Sequence, residues 1–594
     1  MSCSPVAMDI EMNNSYLRTK KTFYQNKGPT MNGPTLEISK EIHETKYRQP
    51  GESFREYSIR VANALKDNPE HFEAMREMLF TQRFLPAGRV QSAMGAARET
   101  TPYNCFVMGE IEDSMVGIMK VAGEAAETMR RGGGVGYDFS TLRPRHDIIT
   151  TMGSPSSGPV SFMAIFDAVC STISSAGNRR GAQMAVLRVD HPDIEEFIRC
   201  KQDSNSLTQF NISVGITDEF MRAVRSDSSF ALKFQGRVYK QIQARGLWEE
   251  IMRSNWDWAE PGVLFLDTIN AGNNLHYCET IAATNPCAEQ PLPPYGACLL
   301  GSFNLTKYVI KDSLFPVFDY ELFRQDIAYV VRAMDNVIDQ AKYPLPEQSI
   351  EAYSKRRMGL GVTGTANAIE AMGFRYGDTN YINTQDTILG TLRDVAYSTS
   401  ISLAEEKGAF PLYDERYLDS QFIKTLPLHL QTRIKEVGIR NSHLLSIAPT
   451  GTISLVADNV SSGIEPVFSY STSRTIQKEA GQSIEVIEDY GYHNWGVKGK
   501  TAAECTVEDH MKVLLAANRF VDSSVSKTCN VGDEVTWEEF NEIYITAWEQ
   551  GAKGCTTFRP SGKRYGILNA QPISEENEGA ACYFDPDTGQ KECE

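Results

Sequence analysis

Asn285-Pro286-Cys287-Ala288-Glu289-Gln290, continuing as Pro291-Leu292-Pro293-Pro294-Tyr295-Gly296-Ala297-Cys298 and Leu299-Leu300-Gly301-Ser302-Phe303-Asn304-Leu305, is the stretch on which the reading of this chain turns. The prolines around Tyr295 can neither donate to a strand ladder nor continue a helix, so the segment is a loop. Free cysteine commonly packs as a small hydrophobe. Here Cys287 stands two positions from the carboxamide of Asn285 and two from the carboxylate of Glu289. A thiol between a hydrogen-bonding amide and a general base is a composition suited to chemistry.

The surrounding sequence narrows the class. At 594 residues, with 41% hydrophobic and 23% charged residues, the composition is that of a globular protein with a large core. A formal net charge of -17 excludes a surface that coats a nucleic acid polymer, although a site for a single nucleotide needs only a few local donors. No apolar run approaches the length of a membrane span, and Met1 to Lys21 lacks the apolar centre of a secretion signal. Twelve cysteines, with no Cys-x-x-Cys pair or zinc-like cluster, point to a reducing, cytoplasmic setting and to no metal site.

The pattern Asn-Pro-Cys-x-Glu-Gln-Pro-Leu-x-Pro-Tyr-x-x-Cys-x-Leu-Gly-Ser-x-Asn-Leu resembles the finger loop of ribonucleotide reductases, in particular those of class II, which depend on adenosylcobalamin. Ala288 stands where the family is expected to carry glycine, which bears on the tightness of the loop tip. The resemblance implies an α/β fold, a ten-stranded α/β barrel of two five-stranded parallel halves around a central finger loop at 285–305. The barrel would occupy 96–560, after an N-terminal arm and helical cap at 1–95. A C-terminal redox tail would follow at 561–594.

Residues 1 to about 40 show little periodicity and read as an extended arm or a poorly ordered lead-in. Beyond Glu52, Phe54, Val61, Ala62 and Leu65 share one helical face, and Phe72, Met75, Met78 and Leu79 share another after Asn68-Pro69. This cap does not resemble the ATP-cone of many reductases, so overall activity control is expected to be missing. Thr101 to Met108 reads as a buried strand, Glu110 to Met129 as a helix, and Leu322 to Ile338 as a long amphipathic helix.

Several candidate site residues come from the residues and the resemblance together. Cys105 alone would read as a core thiol, but the resemblance pairs it with Cys298 as the reducing dithiol of the active site. Asn104 and Gly134, the latter in the glycine-rich run Arg130 to Phe139, would lie beside the substrate. Pro449, Thr450, Gly451, Thr452 and Ile453 place hydroxyls and free N–H groups ahead of a helix start, as a phosphate cradle or as a simple cap. Asp113 is open to two readings, a helix N-cap or a ligand for the ribose of a nucleoside triphosphate effector. Arg143, Arg179 and Arg180 lie in flexible loops whose guanidinium forks suit polyphosphate, and they complete the effector set. Cys582 and Cys593, in a polar tail, are either an incidental pair or the shuttle that re-reduces the active site by exchange with a thioredoxin- or glutaredoxin-type reductant.

The resemblance implies a mechanism. Adenosylcobalamin would generate a thiyl at Cys287, Glu289 would accept the 3′-hydroxyl proton, Asn285 would orient the ribose, and Cys105 with Cys298 would reduce C2′. Class I large subunits carry paired tyrosines near the chain end to relay a radical from a metal-bearing partner; Thr557-Phe558 stands at the comparable place here. A homodimer is expected by resemblance. The competing readings are a class I-like large subunit, an NAD-dependent dehydrogenase built on Gly359-Leu360-Gly361-Val362-Thr363-Gly364, and a non-enzymatic nucleotide-binding regulator. A polar segment precedes those glycines where the dinucleotide fingerprint requires a strand, so they read better as a close-packing turn.

Overall fold

The computed structural model describes residues 33–173, 182–202, 206–311, 315–478, 481–559, 562–563, 582–585 and 590–592. Its N-terminal part is helical, with helices Glu37–Tyr47, Phe54–Leu65 and Pro69–Phe80. Ser53 opens the second through a reciprocal capping box with Glu56. Asn68 opens the third by accepting the His71 N–H, with Pro69 in the first turn where its missing donor is not needed. Val61, Ala62, Leu65, Met75, Met78 and Leu79 enter the core, on the faces that helical spacing assigns.

The first helix departs from the extended arm read to about residue 40. Its Ile38, Ser39, His43 and Tyr47 are buried. The Ser39 hydroxyl donates to the Leu455 carbonyl at 2.6 Å, and the Asp458 carboxylate accepts the Thr35 and Leu36 N–H groups at 2.8 and 3.0 Å. A distant segment therefore starts and seats this helix, and local periodicity cannot register that.

The strands that build the site are β1 (Phe84–Pro86), β2 (Cys105–Val107), β3 (Gly134–Asp138), β4 (Gln183–Arg188), β5 (Phe210–Ile216), β6 (Gly262–Phe265), β7 (Ala297–Cys298), β8 (Leu300–Asn304), β9 (Gly359–Thr363), β10 (Thr528–Asn530) and β11 (Gly554–Phe558). The larger sheet has the order β7-β2-β3-β4-β5-β6-β11-β10. Strands β2 to β6 are parallel neighbours. β11 runs antiparallel to β6 and parallel to β10, while β7 runs antiparallel to β2. A smaller sheet has the order β1-β8-β9, with β8 parallel to β9. Isolated parallel bridges join Leu360 to Leu445 and Ile447 to Val525.

Strands buried on both faces divide their side chains by the period of two. Cys105 and Val107, Met184 and Val186, and Leu264 share one inner apolar cluster with Ala283, Leu292, Cys298 and Leu300. Their neighbours Phe106, Ala185, Leu187, Val263 and Phe265 face the main core, against the helices. Cys105 and Cys298 are thus on the inner side by strand parity. Among the described residues, no helix is long and apolar enough to cross a membrane.

The dinucleotide-like glycines form a strand and its exit. A Cβ on Gly361 would collide with the Ser446 carbonyl, and one on Gly359 would collide with the Gln290 amide. These glycines admit protein backbone and a protein side chain, leaving no space for a pyrophosphate.

Candidate active site

Ala283–Thr284 pairs antiparallel with Pro291–Leu292, and the hairpin closes on Asn285 to Gln290. The Asn285 N–H donates to the Gln290 carbonyl at 3.2 Å, and the Ala288 N–H donates to the Asn285 carbonyl at 3.1 Å. The Asn285 side-chain oxygen accepts the Gln290 N–H at 3.0 Å and the Thr284 hydroxyl at 3.2 Å. Its Nδ2 is buried and has no hydrogen-bond partner. A buried donor left unmade is costly, which makes it a position where a ligand acceptor is favoured. Ala288 adopts φ +64°, in the left-handed region where glycine is the usual residue.

The loop is held from two directions. Asn211 on β5 donates from Nδ2 to the Pro286 carbonyl at 3.1 Å. The Glu289 carbonyl accepts the Ser446 hydroxyl at 2.8 Å and the Ser524 N–H at 3.1 Å. Glycines on β3 make room for the hairpin. A Cβ on Gly136 would collide with the Thr284 carbonyl, and one on Gly134 would sit 3.2 Å from Cys105 Sγ and 3.3 Å from Pro286 Cγ. The glycine-rich run approaches the finger loop itself, with Gly134 between its tip and a thiol.

Cys105 and Cys298 are directly opposed in the β2–β7 register. Opposed Cα atoms in an antiparallel pair lie about 4.5–5.5 Å apart, within the span of about 4.4–6.8 Å that a disulfide bridges. Both cysteines are buried and outside any disulfide, whereas Cys287, also outside any disulfide, is exposed. Burial pushes the Cys298 thiol well above its ordinary range; a hydrogen bond with Cys105 and the charges of Cys105, Glu289 and Cys287 add to the rise. Cys298 therefore keeps its proton, and Cys287 and Glu289 lie within electrostatic reach of the pair. Glu289 is itself only 2% exposed.

Asn104 is tied to both neighbours of the thiols, its N–H donating to the Cys298 carbonyl at 3.2 Å and its carbonyl accepting the Gly134 N–H at 2.8 Å. Its side-chain Oδ1 is a second buried polar atom without a partner. The Pro449–Ile453 segment connects to the same region through Ala448, which packs on the inner cluster. Thr450 has φ +58° and immediately precedes the helix Gly451–Val456. Its hydroxyl is taken up internally, by Thr363 at 2.9 Å, Ser454 at 3.0 Å and the Gly463 N–H at 2.7 Å. For an anion this leaves the half-exposed Gly451 and Thr452, not the Thr450 hydroxyl.

The capping reading of Asp113 is corrected. The helix spans Met115–Arg130 and its N-cap is Ser114, whose hydroxyl accepts the Gly117 N–H at 3.0 Å. Asp113 instead pairs with Arg143, accepting from its Nε at 2.7 Å and its backbone N–H at 3.2 Å. Arg179, Arg180 and Cys593 lie outside the described residues, and Cys582 is described only as backbone of the strand Cys582–Asp585, paired with Gln590–Glu592. On β11, the Thr557 hydroxyl donates to Asn255 Oδ1 at 2.5 Å and shares a 3.0 Å hydrogen bond with the Tyr544 hydroxyl. Among the described residues no group of three His, Cys, Asp or Glu side chains could hold a metal ion. Asn211, Ser446 and Ser524 are the residues of the site that were not anticipated.

An α/β protein with three thiols gathered about one loop is the class that fold and site define. Residues 103–558 match the family described as ribonucleotide reductase, barrel domain, and the chain belongs to that family. It is similar to the vitamin B12-dependent ribonucleoside-diphosphate reductase of Mycobacterium tuberculosis (strain CDC 1551 / Oshkosh), with 36% identity over 500 residues covering 79% of this chain and 68% of the relative. The protein of the same name from Thermoplasma acidophilum is 34% identical over 496 residues, covering 78% and 62%. The vitamin B12-dependent ribonucleotide reductase of Streptomyces clavuligerus is 27% identical over 622 residues, covering 90% and 64%.

Proposed function

We propose that this chain reduces ribonucleotides to 2′-deoxyribonucleotides by a thiyl-radical mechanism with adenosylcobalamin as cofactor, a reading that joins its family membership to the names of its relatives. The observation that carries it is the exposed Cys287 at a loop tip, within electrostatic reach of buried Cys298, which faces buried Cys105 across two strands. Ribonucleoside diphosphates are the substrates by likeness to the mycobacterial and Thermoplasma proteins.

The residues present fit the cofactor. Cys287 is exposed while the other two thiols are buried, so a separate group can reach it alone. Thr557 and Phe558 offer no phenolic hydroxyl for a relay at that place. When bound, adenosylcobalamin supplies the hydrogen-atom abstraction that turns a thiol into a thiyl. Cys287 then takes the ribose 3′-hydrogen. Glu289 accepts the 3′-hydroxyl proton, and Asn285 Nδ2 donates to the ribose. The Cys105/Cys298 dithiol supplies two electrons and two protons, so the 2′-hydroxyl leaves as water and a disulfide forms, while Glu289 returns its proton to the 3′-oxygen and Cys287 returns the hydrogen atom to C3′. Burial of this pair keeps solvent away from the dithiol.

Asn104 and Gly134 bound the ribose side in this reading, and Thr450, Gly451, Thr452 and Ile453 take the phosphates through backbone N–H groups, with Pro449, which has none, setting the entry of the chain into the cradle. Asp113 with Arg143 forms an effector site together with Arg179 and Arg180, opening its ion pair to admit a nucleoside triphosphate. Cys582 and Cys593 carry electrons from a thioredoxin- or glutaredoxin-type protein. The exposed Met115, Val116 and Met119 support a homodimer that covers them. The strands close into a ten-stranded barrel within 96–560. Supporting this, 297–304 carries ladders to both β2 and β9, and the bridges at 445, 447 and 525 continue from β9 toward β10. The 1–95 cap and the 561–594 tail flank it. A cytoplasmic setting is the reading that twelve cysteines without a Cys-x-x-Cys pair support.

The test is turnover of a ribonucleoside diphosphate by the pure chain with and without adenosylcobalamin. Cofactor-dependent reduction that Cys287→Ser lowers by at least ~10³-fold, with nucleotide binding retained, is the expected result. Reduction without cobalamin would favour a class I-like subunit, and hydride exchange with NAD surviving Cys287→Ala would favour a dehydrogenase.

A further inference from the structure

Behind the finger loop, Lys553 is buried at 7% exposure at the entry to β11. Its ammonium donates to three successive backbone carbonyls, those of Val521 at 3.3 Å, Asp522 at 2.8 Å, and Ser523. Its own carbonyl accepts the Phe265 N–H at 3.0 Å, so it sits on the seam where β6 and β11 meet. The Asp522 carboxylate is otherwise engaged, accepting the Leu444 and Leu445 N–H groups at 2.7 and 3.0 Å and the Tyr397 hydroxyl at 2.8 Å. Lys553 is therefore satisfied by carbonyls and not by a carboxylate in hydrogen-bond contact. A buried charge held this way costs desolvation that an apolar side chain of equal length would avoid. What it gives in return is geometric. Three carbonyls drawn to one point fix the backbone that follows, and the next residue is Ser524, whose N–H reaches the Glu289 carbonyl. Asp522 does the same for the neighbouring segment, two residues before the hydroxyl of Ser446, the other donor to that carbonyl.

We propose that Lys553 is a positioning residue for Glu289, holding 521–524 so that the finger loop presents the Glu289 carboxylate at a fixed place. The inference rests on the reading of Glu289 as the acceptor of the 3′-hydroxyl proton. Lys553 touches no reacting atom and acts through Ser524. Burial brings its pKa down to about 8, against the opposing pull of Asp522, so it is charged at neutral pH.

A double-mutant cycle on the full chain, assayed with adenosylcobalamin and a ribonucleoside diphosphate, tests this. Lys553→Met is expected to lower kcat about 10–100-fold at unchanged KM, the scale of a displaced catalytic group. In a Glu289→Gln background the same substitution is expected to cost nothing further, since residues that act through one another are non-additive. Wild-type kcat in Lys553→Met, or an equal fold-loss in both backgrounds, overturns the proposal, the second because a general loss of folding moves both equally. Should Lys553→Met fail to fold, Lys553→Gln, whose shorter side chain has only two N–H hydrogens for the three carbonyls, carries the cycle with the same criteria. Full turnover in Glu289→Gln alone overturns the proposal by a different route, through failure of the reading of Glu289 itself, and is seen without any change at Lys553.

Discussion

Cys105 and Cys298 stand opposite one another across two antiparallel strands, and neither is oxidised. The raised pKa of Cys298 and the facing geometry make them a stored pair of reducing equivalents. With Cys582→Ser and Cys593→Ser, so that the tail supplies no electrons, turnover without an external reductant should therefore stop after one deoxyribonucleotide per active chain and leave one new disulfide, Cys105–Cys298. Non-reducing peptide mapping before and after that single turnover checks it. A disulfide elsewhere, or none, would remove the pair from the chemistry.

Ala288 occupies a backbone conformation that costs an L-residue about 1–2 kcal/mol relative to glycine in the same place. Part of that returns as the greater freedom of glycine in the unfolded chain. Ala288→Gly is expected to raise stability by up to about 1 kcal/mol, read as a higher urea midpoint at unchanged slope. A lower midpoint would mean that the methyl packing of Ala288 on the thiol cluster outweighs the strain.

Glu370 supplies a pH dependence remote from the thiols. Its Oε1 accepts the Lys500 and Tyr376 N–H groups at 2.7 and 3.2 Å, and burial, with the nearby charge of Asp489, raises its pKa from 4.5 to about 7. The folded state thus binds a proton that the unfolded state has released. Stability is greatest below the unfolded value and falls as pH rises through about 7, by an amount on the order of 2–3 kcal/mol. Asp489, raised to about 6 by burial, adds a slope of the same sign. Glu370→Gln should flatten much of this fall and be more stable than wild type at pH 8. Denaturant titrations across the range measure it, and an unchanged slope would show that Glu370 ionises freely in the fold.

The tail thiols are tested by the choice of reductant. Cys582→Ser combined with Cys593→Ser should lower turnover driven by a thioredoxin-type protein about 10-fold or more while leaving turnover driven by a small dithiol intact. Equal rates with both reductants in the variant would assign re-reduction to direct access at Cys105 and Cys298.

Much of the site is legible in the chain because its key groups are close in sequence or lie on strands with clear parity. Asn285, Cys287 and Glu289 fall on one hairpin tip, and Cys105 is placed on the inner face by the alternation of its strand. The long helix Tyr320–Gln340 and the two cap helices follow their apolar spacing. What was not legible depends on distant partners. Helix Glu37–Tyr47 is started by Asp458, and the Thr450 hydroxyl is consumed by Thr363 and Gly463. Ser446 and Ser524 carry no local signal, since a serine beside a strand is ordinary until another loop's carbonyl is seen against it. Asn211 did leave a trace, as a carboxamide in the otherwise apolar start of β5. Asp113 misled because the next residue, Ser114, is an equally good cap.

Pro286 is fastened to β5 and Glu289 to the segments that follow from β9, with only Cys287 and Ala288 between the two moorings. A tether so short and so firmly tied at each end behaves as a gauge of the gap between opposite walls. Any shear of one wall against the other, whether from a nucleotide seated far away or from a substitution in a buried helix, is registered first as rotation of the Cys287 side chain. Reactivity at that sulfur is in this sense a readout of the spacing of the whole scaffold, and changes of rate in variants that touch neither loop nor thiol are to be expected.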